Sequence, residues 1–281
     1  MGIDLAVTDN LNFGADIDAG TLRDNNTGAE TKRTAFGIKV GYKFASLTYA
    51  GALEYRVDKT QQPDTSFADR TTWLTKNSVK YQTNPDWRFL GKLNLSRSDS
   101  SLGDFYDGDF TEAVLAYAYR PVSNDALNAL FKYTFFYNMP TADQVTLSGT
   151  AAQYIQKSHI LSVDLMYDVT RNWTLGGKYA HRFGQLSLDR QDPQFFDSDA
   201  SLYILRADWH ITRRWDALLE GRQLAVQQAG DRRSGALLAV YRHFDEHVKA
   251  GVGYNFTDFS DDLTDLDYRS QGLFINVLGK F

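Results

Sequence analysis

The sequence predicts an all-β protein: one domain over residues 1–281, folded as a transmembrane antiparallel up-and-down β-barrel of about fourteen strands. Three observations predict it. Segments of roughly ten residues with period-two apolar/polar alternation recur along the whole chain, the connections between them alternate short and long, and aromatic residues gather beside the short ones.

Composition narrows the class further. The chain has no Cys, 5 Pro, 21 Gly, 14% aromatic residues and a net charge of −5, with a mean hydropathy of −0.41. No apolar run approaches the roughly 20 residues of a membrane helix. A barrel keeps average hydropathy low because its apolar band alternates with polar lumen residues. The absence of Cys removes disulfides and thiolate metal sites, no cofactor is expected, and mild acidity gives no footprint for nucleic acid. No export signal is visible at Met1-Gly2-Ile3-Asp4, so an exported protein would be represented here by a mature or excised portion.

In chain order, Leu11, Phe13, Ala15 and Ile17 alternate with Asn12, Gly14, Asp16 and Asp18. Phe36, Ile38, Val40 and Tyr42 alternate with Gly37, Lys39, Gly41 and Lys43, and Leu47, Tyr49, Gly51, Leu53 and Tyr55 with Thr48, Ala50, Ala52, Glu54 and Arg56. Trp73, Val79 and Tyr81 oppose Lys76, Ser78 and Lys80; Trp87, Phe89, Leu93 and Leu95 oppose Arg88, Lys92, Asn94 and Ser96. The pattern continues through Ala113–Tyr119, Ala129–Tyr137, Leu161–Asp168, Leu175–Ala180, Tyr203–Ile211, Ala217–Arg222 and Val248–Phe256. The stretch 234–244 is apolar on both parities, and its faces stay unassigned.

Short connections fall near 44–47, 82–87, 120–126, 169–173, 212–216 and 244–248; long polar ones fall near 22–34, 57–70, 97–110, 138–158, 188–200, 227–233 and 258–269. All short turns, the C-terminus and the N-terminus fall at one end, which requires an even strand number. Residues 1–10 are a lead-in there or the tail of an upstream element. Trp87, Trp173, Trp209 and Trp215 lie within a few residues of short turns, as an interface girdle requires. The short turns share a loose theme, as in Val169-Thr-Arg-Asn-Trp, Thr212-Arg-Arg-Trp and Val7-Thr-Asp-Asn.

Charge placement assigns the faces. A midplane Lys or Arg facing lipid costs roughly 2–4 kcal/mol. The apolar parity is almost free of charge, and Lys39, Glu54, Arg56, Lys76, Arg88, Lys92, Lys132, Asp164, Lys178, Arg206, Asp208, Glu220, Arg222 and Lys249 all fall on the other, which is expected to line a hydrated lumen. A soluble sandwich gives the same alternation, but not so many strands with lopsided loops and aromatic rims. The connection from Met139 to Lys157 carries Val145, Leu147, Tyr154 and Ile155 and is a candidate constriction, with a surface loop as the alternative.

Candidate chemistry is thin. His159, His181, His210, His243 and His247 are scattered; only His243 and His247 lie close together, flanking a short turn, and a solvated pair is the expectation. No Ser, His and carboxylate constellation is apparent, which disfavours a barrel-wall hydrolase. The acidic runs Asp104–Asp109, Asp197–Asp199 and Asp258–Asp267 lack the spacing of a calcium loop; they are expected to be solvated, with divalent bridging to lipopolysaccharide as the alternative.

The final stretch, Ser270-Gln-Gly-Leu-Phe-Ile-Asn-Val-Leu-Gly-Lys-Phe281, places Gly272 before apolar Ile275 and Val277 and stops on aromatic Phe281. It resembles the C-terminal insertion signal of bacterial outer-membrane β-barrels. The stretch from Val248 through Asp267 to Phe281 is similar to the C-terminal barrel region of large multidomain surface proteins of Gram-negative bacteria. The resemblance implies a monomeric outer-membrane protein with short periplasmic turns and long extracellular loops, placed by the barrel-insertion machinery among lipid and lipopolysaccharide. It also implies a barrel that anchors, and forms a pore for, further domains of a larger envelope protein. The alternative is a free-standing diffusion channel for small polar solutes or ions.

Overall fold

The computed structural model describes residues 1–23, 28, 30–61, 68–101, 109–138, 154–189, 192–244, 248–259, 261–263 and 271–279. They form β1 (Gly2–Thr8), β2 (Leu11–Arg23), β3 (Glu30–Phe44), β4 (Leu47–Gln61), β5 (Ala68–Gln82), β6 (Trp87–Ser100), β7 (Phe110–Tyr119), β8 (Leu127–Tyr137), β9 (Ile155–Thr170), β10 (Trp173–Ser187), β11 (Phe196–Asp197), β12 (Ala200–Thr212), β13 (Trp215–Val226), β14 (Asp231–His243), β15 (Val248–Asn255) and β16 (Gly272–Gly279). Each strand pairs antiparallel with the next in chain order, except that β12 follows β10 directly and the two-residue β11 is added at the loop end of β10.

The strand count departs from the expected fourteen. Sixteen strands are present among the described residues. Gly2–Thr8 is a strand in register with β2 rather than a lead-in, because Ile3, Leu5 and Val7 continue the apolar parity. Its start lies well up the sheet, where Met1 O accepts from Ile17 N at 2.8 Å, not at the turn end. The edges β1 and β16 both run toward the short turns and have no ladder partner on their outer sides among the described residues. With β11 off the path the ladder has fifteen strands, and edges of the same direction cannot close antiparallel on each other, so the expected even number with direct closure is not what this sheet shows. The loop-length rule is also looser than expected. The 227–233 connection shrinks to 227–230, turning on Gly230 at φ 61°, and the 138–158 connection ends where β9 begins at Ile155.

The short turns have a shared chemical cause. At Thr8, Thr170 and Thr212 the side-chain hydroxyl accepts the backbone N–H two residues on, at 3.3, 3.2 and 3.2 Å. Each of these ladders carries a register irregularity at that turn. The repeated Thr is thus a turn closer, holding a backbone donor that the sheet cannot satisfy. Thr212→Ala should lower stability by about 1 kcal/mol, with Thr212→Ser retaining most of it, as read by urea unfolding in lipid vesicles.

Because the ladder register is unbroken outside those turns, side-chain parity carries across the whole sheet. The odd residues of β4 to β13 lie on one face with the even residues of β3; the opposite parities lie on the other. Neighbouring strands settle the ambiguous stretch 234–244: Ala239 pairs with Leu218 and Gly253 on the charged face, and Leu238 and Val240 lie on the apolar one. The sheet curls strongly about the charged face. The segment leaving β15 lies on it, with Lys178 Nζ donating to Asp261 O at 2.6 Å and Arg182 Nη1 to Leu263 O at 3.3 Å. A core therefore forms on the concave face at the loop end, joining Phe136, Ile160, Ala180, Ala200, Leu202 and Ile204 to Phe259 and Leu263.

Candidate functional site

The concave face is layered along the strands. At the loop end lies the apolar cluster, covered by residues 256–259 and 261–263. Thr257, fully buried, fixes the root of this strap, its N–H donating to Asn255 Oδ1 at 3.0 Å. Arg182, also buried, donates to Ser198 O and to Leu263 O, both at 3.3 Å, and so ties the strap to the β10–β12 connection.

Below the cluster runs a band of charge. Pairing follows the pleat: residues two apart on a strand share a face, so Arg56 meets Glu54, Arg206 meets Asp208 at 2.9 Å, and Arg222 meets Glu220. Across strands, Lys39 meets Asp16 at 2.7 Å, Lys92 meets Glu112 at 2.8 Å, and Lys249 lies 3.7 Å from Asp216. Arg88 donates to Gln82 Oε1 at 2.8 Å. Asp164 stands opposite Lys178 in the β9–β10 ladder, while Lys178 itself is engaged by the strap. Lys76 and Lys132 have no carboxylate within 4.0 Å among the described residues. The register puts every residue expected to line a lumen on this one face, and their division into paired and unpaired charges emerges only in three dimensions.

The convex face is apolar and open. Leu205, Leu273, Ile275 and Val277 are 75%, 71%, 78% and 66% exposed. Trp87, Trp173, Trp209 and Trp215 all project from this face at the turn end; Trp173 and Trp209 are ladder partners stacked at 5.4 Å, and Trp87 stacks on Tyr117 at 4.6 Å. Of the expected insertion signal, Gly272 holds φ 146°, a conformation for glycine, and Ile275 and Val277 face outward; Phe281 lies outside the described residues. Three pairs of polar side chains on this face satisfy one another. Tyr49 Oη donates to Asn77 Oδ1 at 2.6 Å, Tyr133 Oη lies 2.7 Å from His159 Nδ1, and His181 Nδ1 lies 2.9 Å from Ser201 Oγ. Such pairing is what an apolar solvent demands of a polar group. It also accounts for the His181–Ser201 pair, which has no carboxylate on the other ring nitrogen among the described residues.

Three groups escaped the sequence reading. Asp58, 2% exposed, is held by Arg33 at 2.7 and 3.2 Å and by Arg70 at 3.4 Å. Asp216 is gripped by His210 Nδ1 at 2.9 Å and His243 Nε2 at 2.7 Å near the short turns. His243 is thus engaged across the sheet, while His247, its expected companion, lies outside the described residues. The strap is the third. Parity alone could have found the first two, since all their members lie on the charged face. The constriction expected from Met139 to Lys157 falls largely outside the described residues; Ile155 and Lys157 belong to β9.

No protein-family profile matches the chain, and no curated protein matches its sequence. Solved structures do match its shape. The unliganded ferric citrate transporter FecA superposes with a TM-score of 0.61 at 12% identity, over 98% of this chain and 51% of that one. The siderophore receptor PirA from Pseudomonas aeruginosa gives 0.58 at 13% identity, over 93% and 48%, and the copper transporter OprC gives 0.52 at 9%, over 98% and 55%. The chain spans about half the length of these proteins. Curled antiparallel sheet, apolar convex face and these likenesses agree on one fold, that of the outer-membrane β-barrels.

Proposed function

We propose that the sheet is the wall of an outer-membrane conduit, with lipid on its convex face and an aqueous path along its concave one, narrowed at the loop end by residues 256–259 and 261–263. The observation that carries this reading is the strap itself, a chain segment pinned by Lys178 and Arg182 onto the face that bears the charges. A face meant only for packing would not carry below it Lys76 and Lys132, which have no carboxylate within 4.0 Å among the described residues. An antiparallel closure around that path takes a further strand running from the turn end to the loop end between β16 and β1. The wall serves in this reading as one module of a larger envelope protein.

A second reading rests on the apolar cluster under the strap. With Phe259 and Leu263 seated on Phe136, Ile160 and Leu202, the lumen is blocked and the barrel is an anchor. Planar-bilayer recordings separate the two. The conduit reading expects small conductance steps from the unaltered protein and several-fold larger ones from Phe259→Ser/Leu263→Ser. A protein that is folded by heat-modifiable gel mobility yet silent in both forms would establish the anchor instead.

A further inference from the structure

We infer that the concave wall of β3 to β6 is a binding track for small organic or inorganic anions bearing carboxylate or phosphate groups. This rests on the conduit reading above and assigns its solute class.

The track is a cleft of about 670 Å³ whose lining includes the small residues Gly41, Ala50, Ala52 and Ser78 and the stems of Lys39, Lys76, Lys80 and Lys92. The ladders fix this arrangement. Gly41 pairs with Ala50 and Ala50 with Ser78, so three consecutive strands place small side chains at one level. One level nearer the loops, Lys39 pairs with Ala52 and Ala52 with Lys76. On the other side, Ser78 pairs with Lys92, and Thr48 with Lys80. Small residues leave the volume open, and the lysines ring it. The size falls within the roughly 300–1,000 Å³ of ordinary ligand sites.

The charge balance of the ring is not that of the chain. The protein carries a net −5, and elsewhere on this face Arg56, Arg206, Arg222 and Arg233 are each matched by a carboxylate two residues away on the same strand. Here Lys39 and Lys92 are matched by Asp16 and Glu112, whereas Lys76 and Lys80 have no carboxylate within 4.0 Å among the described residues. Two ammonium groups thus remain uncompensated over a cleft with no acidic lining residue. An ammonium on a flexible stem engages an oxyanion as a compact point charge. A narrow path with low-dielectric walls then concentrates anions and repels cations. The unpaired charges would also repel each other unless a mobile anion or water lay between them.

Reversal potentials under a tenfold KCl gradient test this, with Lys76→Gln, Lys80→Gln and Lys76→Gln/Lys80→Gln against Lys59→Gln, which removes from the convex face the one charge that each single variant removes from the track. The expected result is chloride preference in the unaltered protein and in Lys59→Gln, falling about threefold or more in the double variant, as loss of two unscreened charges implies. Conductance with cation preference, or with selectivity indifferent to Lys76 and Lys80, overturns the inference while leaving the conduit intact. If every form is silent, the conduit reading fails by itself, and equilibrium dialysis of the folded, detergent-solubilised protein with succinate and with inorganic phosphate decides the site. Binding that is lost in the double variant upholds it, and preference for one probe names carboxylate or phosphate as the recognised group. Absence of binding to both overturns it.

Discussion

Leu205→Arg is expected to destabilise the protein in lipid vesicles by about 2–4 kcal/mol, whereas Leu74→Arg should change stability by less than about 1 kcal/mol. The two leucines are the same residue in the same kind of ladder. Leu205 is 75% exposed on the convex face, midway along β12, between Gly177 and Gly221 in the register. With lipid against this face, as proposed above, a guanidinium there has no water, no acidic ladder partner and too far to reach for an interface. Leu74 lies on the concave face beside Glu54 and Ser96. In the conduit reading a guanidinium there meets water, and the ladder places it beside a carboxylate. Reversible urea unfolding followed by tryptophan fluorescence measures both. Equal costs, or a larger cost at Leu74, would mean that the convex face does not meet hydrocarbon.

The same contrast explains how much of the molecule could be read from its sequence. Period-two alternation is a local property, so the two faces were legible strand by strand, and the continuous register preserves that parity from β1 to β16. Where both parities are apolar, as in Leu237-Leu238-Ala239-Val240, nothing local distinguishes them; only pairing with Leu218 and Gly253 assigns Ala239 to the inner face. The strap was illegible for a different reason. Asp258, Asp261 and Asp262 read as a solvated loop, and the partners of Phe259 and Leu263 lie on strands far earlier in the chain. Contacts across a curled sheet depend on its radius, which no residue pattern states. The turn motif was visible as a repetition but not as a mechanism until the Thr hydroxyls were seen to accept backbone donors.

Asp58→Ala should cost about 3 kcal/mol, more than removal of either arginine alone, because its loss strands two cations at once. The carboxylate is almost wholly buried, while the side chains of Arg33 and Arg70 keep 29% and 30% of their exposure. Water can partly solvate the arginines when the acid is gone, which places the cost at the lower end of the roughly 3–5 kcal/mol for breaking a buried pair. Arg33 approaches through both Nε and Nη2, a two-point geometry that an ammonium cannot copy, so Arg33→Lys should recover little of what Arg33→Ala loses. Arg70 makes one long contact at 3.4 Å and should matter less. A double-mutant cycle on Asp58 and Arg33 should return a coupling energy above about 1.5 kcal/mol, with the Arg70 cycle below it. A cost under about 0.5 kcal/mol for Asp58→Ala would place the cluster with ordinary surface bridges. Asp58 joins β3, β4 and β5 at the loop end, the three strands that carry Lys39, the small lining residues and Lys76. If it fixes their spacing, the double variant Asp58→Ala/Arg33→Ala should broaden the anion preference even where the protein remains folded, tying the stability of the rim to the selectivity of the wall beneath it.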